Sequence, residues 1–302
     1  HINLAVEGQF QEAAARLGMD PVALRLRNVR ERGDEIVPGD RPADGDWGAL
    51  LRRVAAEAGW DSPRLPGRGR GIAFGMKANA AGTSSTGRVT IDALGRVTAF
   101  AGCTEMGQGT QHGLGLVVAR ALGLEPGTVT VVLGDTSRVP ADSWTASSRA
   151  TTFNANALHT AAEKVAARLC RLAETHLGVP AGQASVAGGR VTWEGGAASF
   201  GEVLRAAGAE AVVEEATFAA LADPQHPLGG PAAFYEVVAT VVEAHLDEET
   251  GRVFVDKVTH AGGTTNVNVC QNSTCGSNAC NKWYLLATVT LNAGTEYRVT
   301  LD

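Results

Sequence analysis

At 302 residues, 44% of them hydrophobic, the chain can hold one large domain or two, with enough apolar material for a real core. Its net charge of −6, with both signs scattered, argues against nucleic acid and acidic membrane surfaces as partners. No apolar run approaches the roughly 20 residues of a membrane helix and no signal peptide is visible, although the chain opens at His1 without a Met, which leaves a missing N-terminus open.

Helical spacing runs over residues 4–17 and stops at Gly18. Asp20-Pro21 then supplies an N-cap and a first helical residue for a short second helix through Arg27. The arginines of this pair are expected to face solvent. Residues 33–45, rich in Gly, Pro and Asp, predict a loop. Asp46 caps an amphipathic helix to Gly59 with Trp47, Leu50, Leu51 and Val54 inward and Arg52-Arg53 toward water. Residues 63–71 predict a connector whose Arg64, Arg68 and Arg70 are too few for a basic binding patch. A β-region opens at Gly71-Ile-Ala-Phe74, and residues 88–100 alternate as a ribbon turning at Leu94-Gly95.

The stretch that follows organises the rest. Thr104-Glu-Met-Gly-Gln-Gly-Thr-Gln-His112 is a Gly-rich loop leading into a helix on which Leu114, Val117, Val118, Ala121 and Leu122 recur before Gly123. Glycines let backbone approach a ligand, and the first free N–H groups of a helix favour an anion, so a phosphate or a polar cofactor edge fits here. Taken alone, two glycines fit a purely conformational role as well. Residues 129–133 predict a short buried strand running into Gly134-Asp135-Thr136. Asp135 has no partner carboxylate or His at a useful spacing and is expected to bond backbone N–H groups in a turn.

The longest helix is predicted from about Ser148 to Leu177. Thr145, Ser147 and Ser148 gather hydroxyls at its start, which suits an anionic ligand or plain N-capping, for which one would suffice. His159 and His176 lie too far apart on it to share a metal. Residues 190–193 predict a strand, Ser199-Phe-Gly-Glu202 a capping box opening a helix to Ala207, and residues 212–218 another strand. His226, in a Pro-flanked turn, is expected to be an ordinary loop residue. Residues 235–245 and 252–260 alternate as strands joined by Asp247-Glu-Glu-Thr-Gly251, with Glu248 and Glu249 solvated. Cys103 and Cys170 stand alone and are expected to be small core residues; only the following helix start would activate Cys103 as a nucleophile.

Five short motifs occur in order: Glu105-Met-Gly-Gln-Gly109, Ala119-Arg-Ala-Leu-Gly-Leu124, Val129 into Gly134-Asp135-Thr136, Pro140, and Thr145-Ala-Ser-Ser-Arg149. Together they resemble the molybdenum-cofactor-binding subunit of the xanthine dehydrogenase/aldehyde oxidase family. Arg16-Leu-Gly-Met-Asp-Pro21, Leu24-Arg-Leu-Arg-Asn28 and the hairpin ending Thr250-Gly251 resemble it too. The resemblance implies that Met106, Gly107, Gln108 and Gly109 lie along the molybdopterin, with Gln108 donating to it. It also implies that Thr145, Ser147 and Ser148 cradle the cofactor's phosphate side.

The expected fold is α+β: mixed sheets with helices packed on one side, a helical lead-in over residues 1–70, a partial molybdopterin-binding domain over 71–262, and a small β appendage over 263–302. The resemblance further implies hydroxylation of an aldehyde or N-heterocycle with water as oxygen source, iron–sulfur and FAD groups on partner subunits or domains, and a cytoplasmic homo-oligomeric complex. The metal would be held by the pterin dithiolene rather than by protein side chains. The family's glutamate base lies beyond the end of the match, so no catalytic residue and no metal ligand is assigned. The expectation is a central fragment, inactive alone, that forms one wall of a site.

At Gly262-Gly263 the resemblance stops. The tail, charged only at Lys282, Glu296, Arg298 and Asp302, is similar to a golvesin/xanthan-lyase carbohydrate-binding-like module in Gly263-Thr-Thr, Val269, Gln271, Trp283-Tyr-Leu-Leu286, Asn292-Ala-Gly294 and Val299-Thr-Leu301. Cys270, Cys275 and Cys280 fit a disulfide plus a free thiol in an oxidising compartment better than a zinc site. That conflict with a cytoplasmic subunit suggests two unrelated coding segments joined near His260 to Thr265. Two other readings follow: a carbohydrate- or surface-binding protein led by the tail, and a non-functional chimera.

Overall fold

The computed structural model describes residues 2–263 except Asp44, Leu65 and Ala80. The readings of the tail and of Cys270, Cys275 and Cys280 therefore lie outside the described residues. Those described fall into two compact units, one combining the chain up to Asn79 with the stretch from Pro231 to Gly263, the other ending at Gly230.

In the first unit, α2 (Pro21–Asn28) and α3 (Trp47–Ala58) share a core with an antiparallel sheet, and α1 (Ile2–Leu17) meets α2 through Glu7. That sheet is ordered β1 (Arg68–Ala78), β9 (Tyr235–Leu246), β10 (Val253–Gly263). Asp20 caps α2 by accepting the N–H groups of Val22 and Ala23. Asp46 caps α3, and Gly59 closes it in the left-handed region, φ 66°. The inward face of α3, with Leu51 and Val54 fully buried, meets Val22, Ile72, Ala239 and Val241. Arg52 and Arg53 face water as expected.

Two arginines differ from expectation, one read as solvated and one read as part of a connector. Arg25 is 3% exposed and pairs with Glu7 at 2.8 Å, because α1 brings Glu7 and the Phe10 ring against it. Arg70 lies within strand β1 rather than in a connector, is nearly buried beside Glu243, and donates to the carbonyls of Trp60 and Ser62. Spacing along one helix or loop does not register such a covering neighbour.

The second unit holds a four-stranded mixed sheet in the order β4 (Thr130–Leu133), β3 (Val97–Ala101), β2 (Ser84–Asp92), β8 (Ala211–Ala219). Only β3 and β4 run parallel. Along β2, Ser85, Gly87, Val89 and Ile91 alternate inward, the period-2 signature of a half-buried strand. The helices α4 (Thr110–Ala121) and α5 (Arg149–His176) pack on that face. Leu114 and Val118 of α4 and Leu158, Val165 and Leu169 of α5 are fully buried there with Val89 and Ile91, each such side chain worth about 1.5–3 kcal/mol. A small antiparallel sheet of β5 (Ser185–Ala187), β6 (Arg190–Trp193) and β7 (Gly196–Ser199) leads into α6 (Phe200–Ala206), which opens with the expected Ser199/Glu202 capping box. The fold is α+β.

Other expectations can be placed. Asp135 accepts from the N–H and hydroxyl of Ser137 in a turn. His226 is a loop residue, but a buried one, whose Nδ1 accepts the Leu228 N–H at 3.1 Å. No helix among the described residues is long and apolar enough to cross a membrane.

Candidate functional site

The Gly-rich loop leaves β3 through Gly102, where the 140–142 segment presses against the backbone. A Cβ there would stand 2.5 Å from the Asp142 Cβ and 2.8 Å from the Pro140 carbonyl, closer than atoms pack. Only glycine lets the two segments meet. Cys103, next in line, is fully buried. Burial first, then the Asp142 carboxylate, pushes its thiol up to about 12, so it remains an unreactive core thiol at neutral pH.

The loop holds itself together. The Glu105 carboxylate accepts the N–H groups of Gly107 (2.8 Å), Gly109 (3.0 Å) and Gln111 (2.9 Å). Those bonds, that of Gln111 foremost, hold its pKa below the usual glutamate value. An anion does sit at the start of α4, as the glycines and the helix N-terminus lead one to expect, but it is the chain's own carboxylate. Gly109 occupies the N-cap position at φ 78° with no side-chain cap.

Gln108 is folded back: its Oε1 accepts the Met106 N–H at 2.6 Å and its Nε2 donates to the Thr104 carbonyl at 2.8 Å. Each end of the amide thereby keeps one further hydrogen-bonding position, since a carboxamide carries two N–H donors and two acceptor lone pairs. Met106 is 70% exposed. The space beside the Cα atoms of Gly107 and Gly109 is open to beyond 4 Å. A cleft of about 420 Å³ runs beside the helix start, lined by Glu105, Gly109, Gln111, His112, Leu116 and Val129 among others.

Against Thr104 lies the segment before α5. Ser147 and Ser148 both adopt left-handed backbone, φ 54° and 53°, a conformation that costs a non-glycine residue of order 1–3 kcal/mol and tends to mark functional turns. Ser148 stands at the helix N-cap without a side-chain capping bond. The Thr145 hydroxyl accepts the Thr104 N–H at 2.8 Å and the Thr104 hydroxyl at 3.1 Å. The sequence motifs on either side are thus brought together, at Thr104 and Thr145.

Beneath them sits a group the sequence reading did not single out. Arg149 is fully buried and paired with Asp142 at 2.8 Å. Its Nη1 also donates to the Trp144 carbonyl (2.6 Å), and its Nη2 to the Ser84 carbonyl (2.6 Å) and the Ser85 hydroxyl (2.8 Å). The guanidinium stands 4.7 Å from the Phe153 ring centre, a favourable cation–π contact. Asp142 takes further bonds from Ser85 (2.7 Å), Ser143 N–H (2.7 Å) and Asn154 (3.1 Å). The sequence signal was an Arg at a helix start, where a solvated side chain is the ordinary outcome.

The donor set suits a flat heterocycle edge in which donors and acceptors alternate. The Gln108 amide can extend its pairing outward by one N–H and one lone pair, and the face over Gly107 and Gly109 is clear. It suits a bare phosphate less well, because Glu105 already takes the helix-start N–H groups. Among the described residues no three His, Cys, Asp or Glu side chains cluster as metal ligands would.

Similarity to known proteins converges on one group. The family model of the molybdopterin cofactor-binding domain matches residues 45–267, a few residues past the point where the motif resemblance ended. The chain is 28% identical over 166 residues to a probable xanthine dehydrogenase subunit of Bacillus subtilis, covering 50% of this chain and 22% of that protein. It is 32% identical over 190 residues to the gamma subunit of the 6-hydroxypseudooxynicotine dehydrogenase complex of Paenarthrobacter nicotinovorans, covering 57% and 24%. In fold it is similar to reconstituted CO dehydrogenase from Oligotropha carboxidovorans, with TM-score 0.71, 20% identity and coverage of 86% of this chain and 36% of that one. It is likewise similar to aldehyde oxidoreductase from Desulfovibrio desulfuricans, with TM-score 0.63, 21% identity and coverage of 84% and 27%. The matched regions span less than a quarter of the curated relatives' length.

Proposed function

The chain belongs to the molybdopterin cofactor-binding domain family, and from that premise we propose that it forms one wall of the cofactor site in a molybdenum hydroxylase that oxidises an aldehyde or an N-heterocycle. The observation that supports this most is the Gln108 amide, anchored at one N–H and one lone pair beside an open glycine face.

In this reading Met106, Gly107, Gln108 and Gly109 lie against the molybdopterin, and the amide of Gln108 orients its polar edge. Thr145, Ser147 and Ser148 shape the opposite side of the contact, the left-handed backbone of the two serines turning their peptide groups toward the ligand's phosphate side. Glu105 acts within the loop: by neutralising the helix-start N–H groups it keeps the glycine turn in its binding shape before the ligand arrives. When bound, the cofactor supplies the two-electron oxidation, with water as oxygen source. No general base is assigned to this chain. The rest of the subunit, together with iron–sulfur and FAD partners in a cytoplasmic homo-oligomeric complex, completes the enzyme and selects its substrate, and the chain alone is inactive.

The test is to express the chain within its complete reading frame alongside a cofactor-assembly system, then measure molybdenum and pterin in the purified protein. Near-stoichiometric pterin is expected, with Gln108→Ala weakening retention about tenfold, the worth of one to two hydrogen bonds. Folded protein carrying neither molybdenum nor pterin would sink the proposal.

A further inference from the structure

We infer that Arg149 is a positioning residue that couples the two ligand-facing loops, acting through Thr145 on Thr104 and through Thr104 on Gln108. For its bearing on the cofactor, the inference rests on the function proposed above. The connection consists of three hydrogen bonds joined through the backbone of Thr145 and Thr104. Arg149 Nη1 holds the Trp144 carbonyl at 2.6 Å, fixing the peptide that leads into Thr145. The Thr145 hydroxyl accepts the Thr104 N–H at 2.8 Å. The Thr104 carbonyl accepts Gln108 Nε2 at 2.8 Å, which sets the direction of the amide's remaining N–H.

The rigidity of the chain of contacts comes from its base. Four acceptors converge on the two terminal nitrogens of one fully buried guanidinium: Asp142 Oδ1, the Trp144 carbonyl, the Ser84 carbonyl and the Ser85 hydroxyl. A planar fork meets such an array with little further loss of freedom, whereas an ammonium has three donors and no fixed plane. Ser84 and Ser85 belong to β2, so the strained Ser147-Ser148 turn is tied to the sheet and not only to its own helix. The two serines, both in left-handed backbone, lie between the Trp144 carbonyl and Arg149 itself, so this array fixes both ends of the turn.

The experiment is site-resolved amide exchange on the full chain, comparing wild type, Arg149→Lys, Thr145→Val and the double variant, with pterin content measured on the same proteins. Arg149→Lys keeps the charge beside Asp142 but loses the fork. It is expected to speed exchange at the Thr104 amide about five- to tenfold, the loss of about one hydrogen bond, and to lower pterin retention. Thr145→Val does the same at Thr104, and the double variant exchanges no faster there than the faster single one, because both remove the same link. Multiplying effects, or an unchanged Thr104 amide in Arg149→Lys, would overturn the coupling. Ser85→Ala removes one acceptor without touching charge and serves if Arg149→Lys fails to fold; a smaller acceleration at Thr104 is expected, and none would overturn the inference. Wild type with loop protection but no pterin would remove the proposed function and, with it, the bearing on the cofactor. Arg149→Lys with a loosened loop and undiminished pterin would overturn that bearing alone.

Discussion

Replacing Asp142 by Asn removes one charge from a pair whose side chains are 0% and 3% exposed. The guanidinium of Arg149 keeps its carbonyl acceptors at Ser84 and Trp144, but its charge is left without a counter-ion in a dry site. The new amide nitrogen must also face the hydroxyl of Ser85, Arg149 itself or the Asn154 amide, all of which donate to the native carboxylate. Breaking a buried pair by removing one partner costs about 3–5 kcal/mol. In a unit that ends at Gly230 and begins just after Asn79, each kcal/mol is worth roughly 2–4 °C, so the melting temperature should fall by about 6–20 °C. Urea and thermal melts followed by circular dichroism measure this, with the half-exposed turn residue Asp135→Asn as a control losing under about 1 kcal/mol. Removing both charges, with Asp142→Asn and Arg149→Met together, should recover part of the loss, since a neutral pair leaves no unpaired charge. A loss below about 1 kcal/mol for Asp142→Asn alone would refute the reading that this pair is dry and anchors the loop.

Three further outcomes are expected. The Glu105 carboxylate has its pKa lowered by the loop N–H groups of Gln111, Gly109 and Gly107, so its contribution is complete above the ordinary value of 4.5 and is lost as pH falls through the lower, folded value. Exchange protection at those three amides should therefore collapse only below pH 4.5, and Glu105→Gln should show weak protection at neutral pH; protection that fades above pH 5 would contradict the assignment. Gly102→Ala places a methyl 2.5 Å from the Asp142 Cβ, and overpacking of about 1–3 kcal/mol should appear as a lower urea midpoint with faster proteolysis at residues 140–148. Cys103, its thiol pushed up to about 12, should stay unlabelled by iodoacetamide in native protein at pH 8, as read by peptide mass spectrometry; rapid labelling would mean that the site opens.

Local rules carried much of this molecule. Caps at Asp20, Asp46 and Ser199 set three helix starts where the residue pattern placed them, because capping is decided within four residues. The ribbon turning at Gly95 and the hairpin through Asp247 likewise follow from turn chemistry that needs no distant partner. The small sheet of β5, β6 and β7 was legible only in its middle strand, since strands of three or four residues flanked by Gly188-Gly189 and Gly195-Gly196 are too short to show a period.

Thus the sequence by itself determined most of the elements, though not β5, β7 or the start of β1, together with the order of the motifs and the family they point to, all of which live in neighbouring residues. Tertiary structure alone decided three things at the site: that Glu105 takes the helix-start N–H groups, that Thr145 docks on Thr104, and that Arg149 is buried against Asp142 beneath both loops. Each depends on which polar group a side chain meets on folding. A buried charge is tolerated only where partners from distant segments converge on it, and no spacing along one segment reveals that convergence.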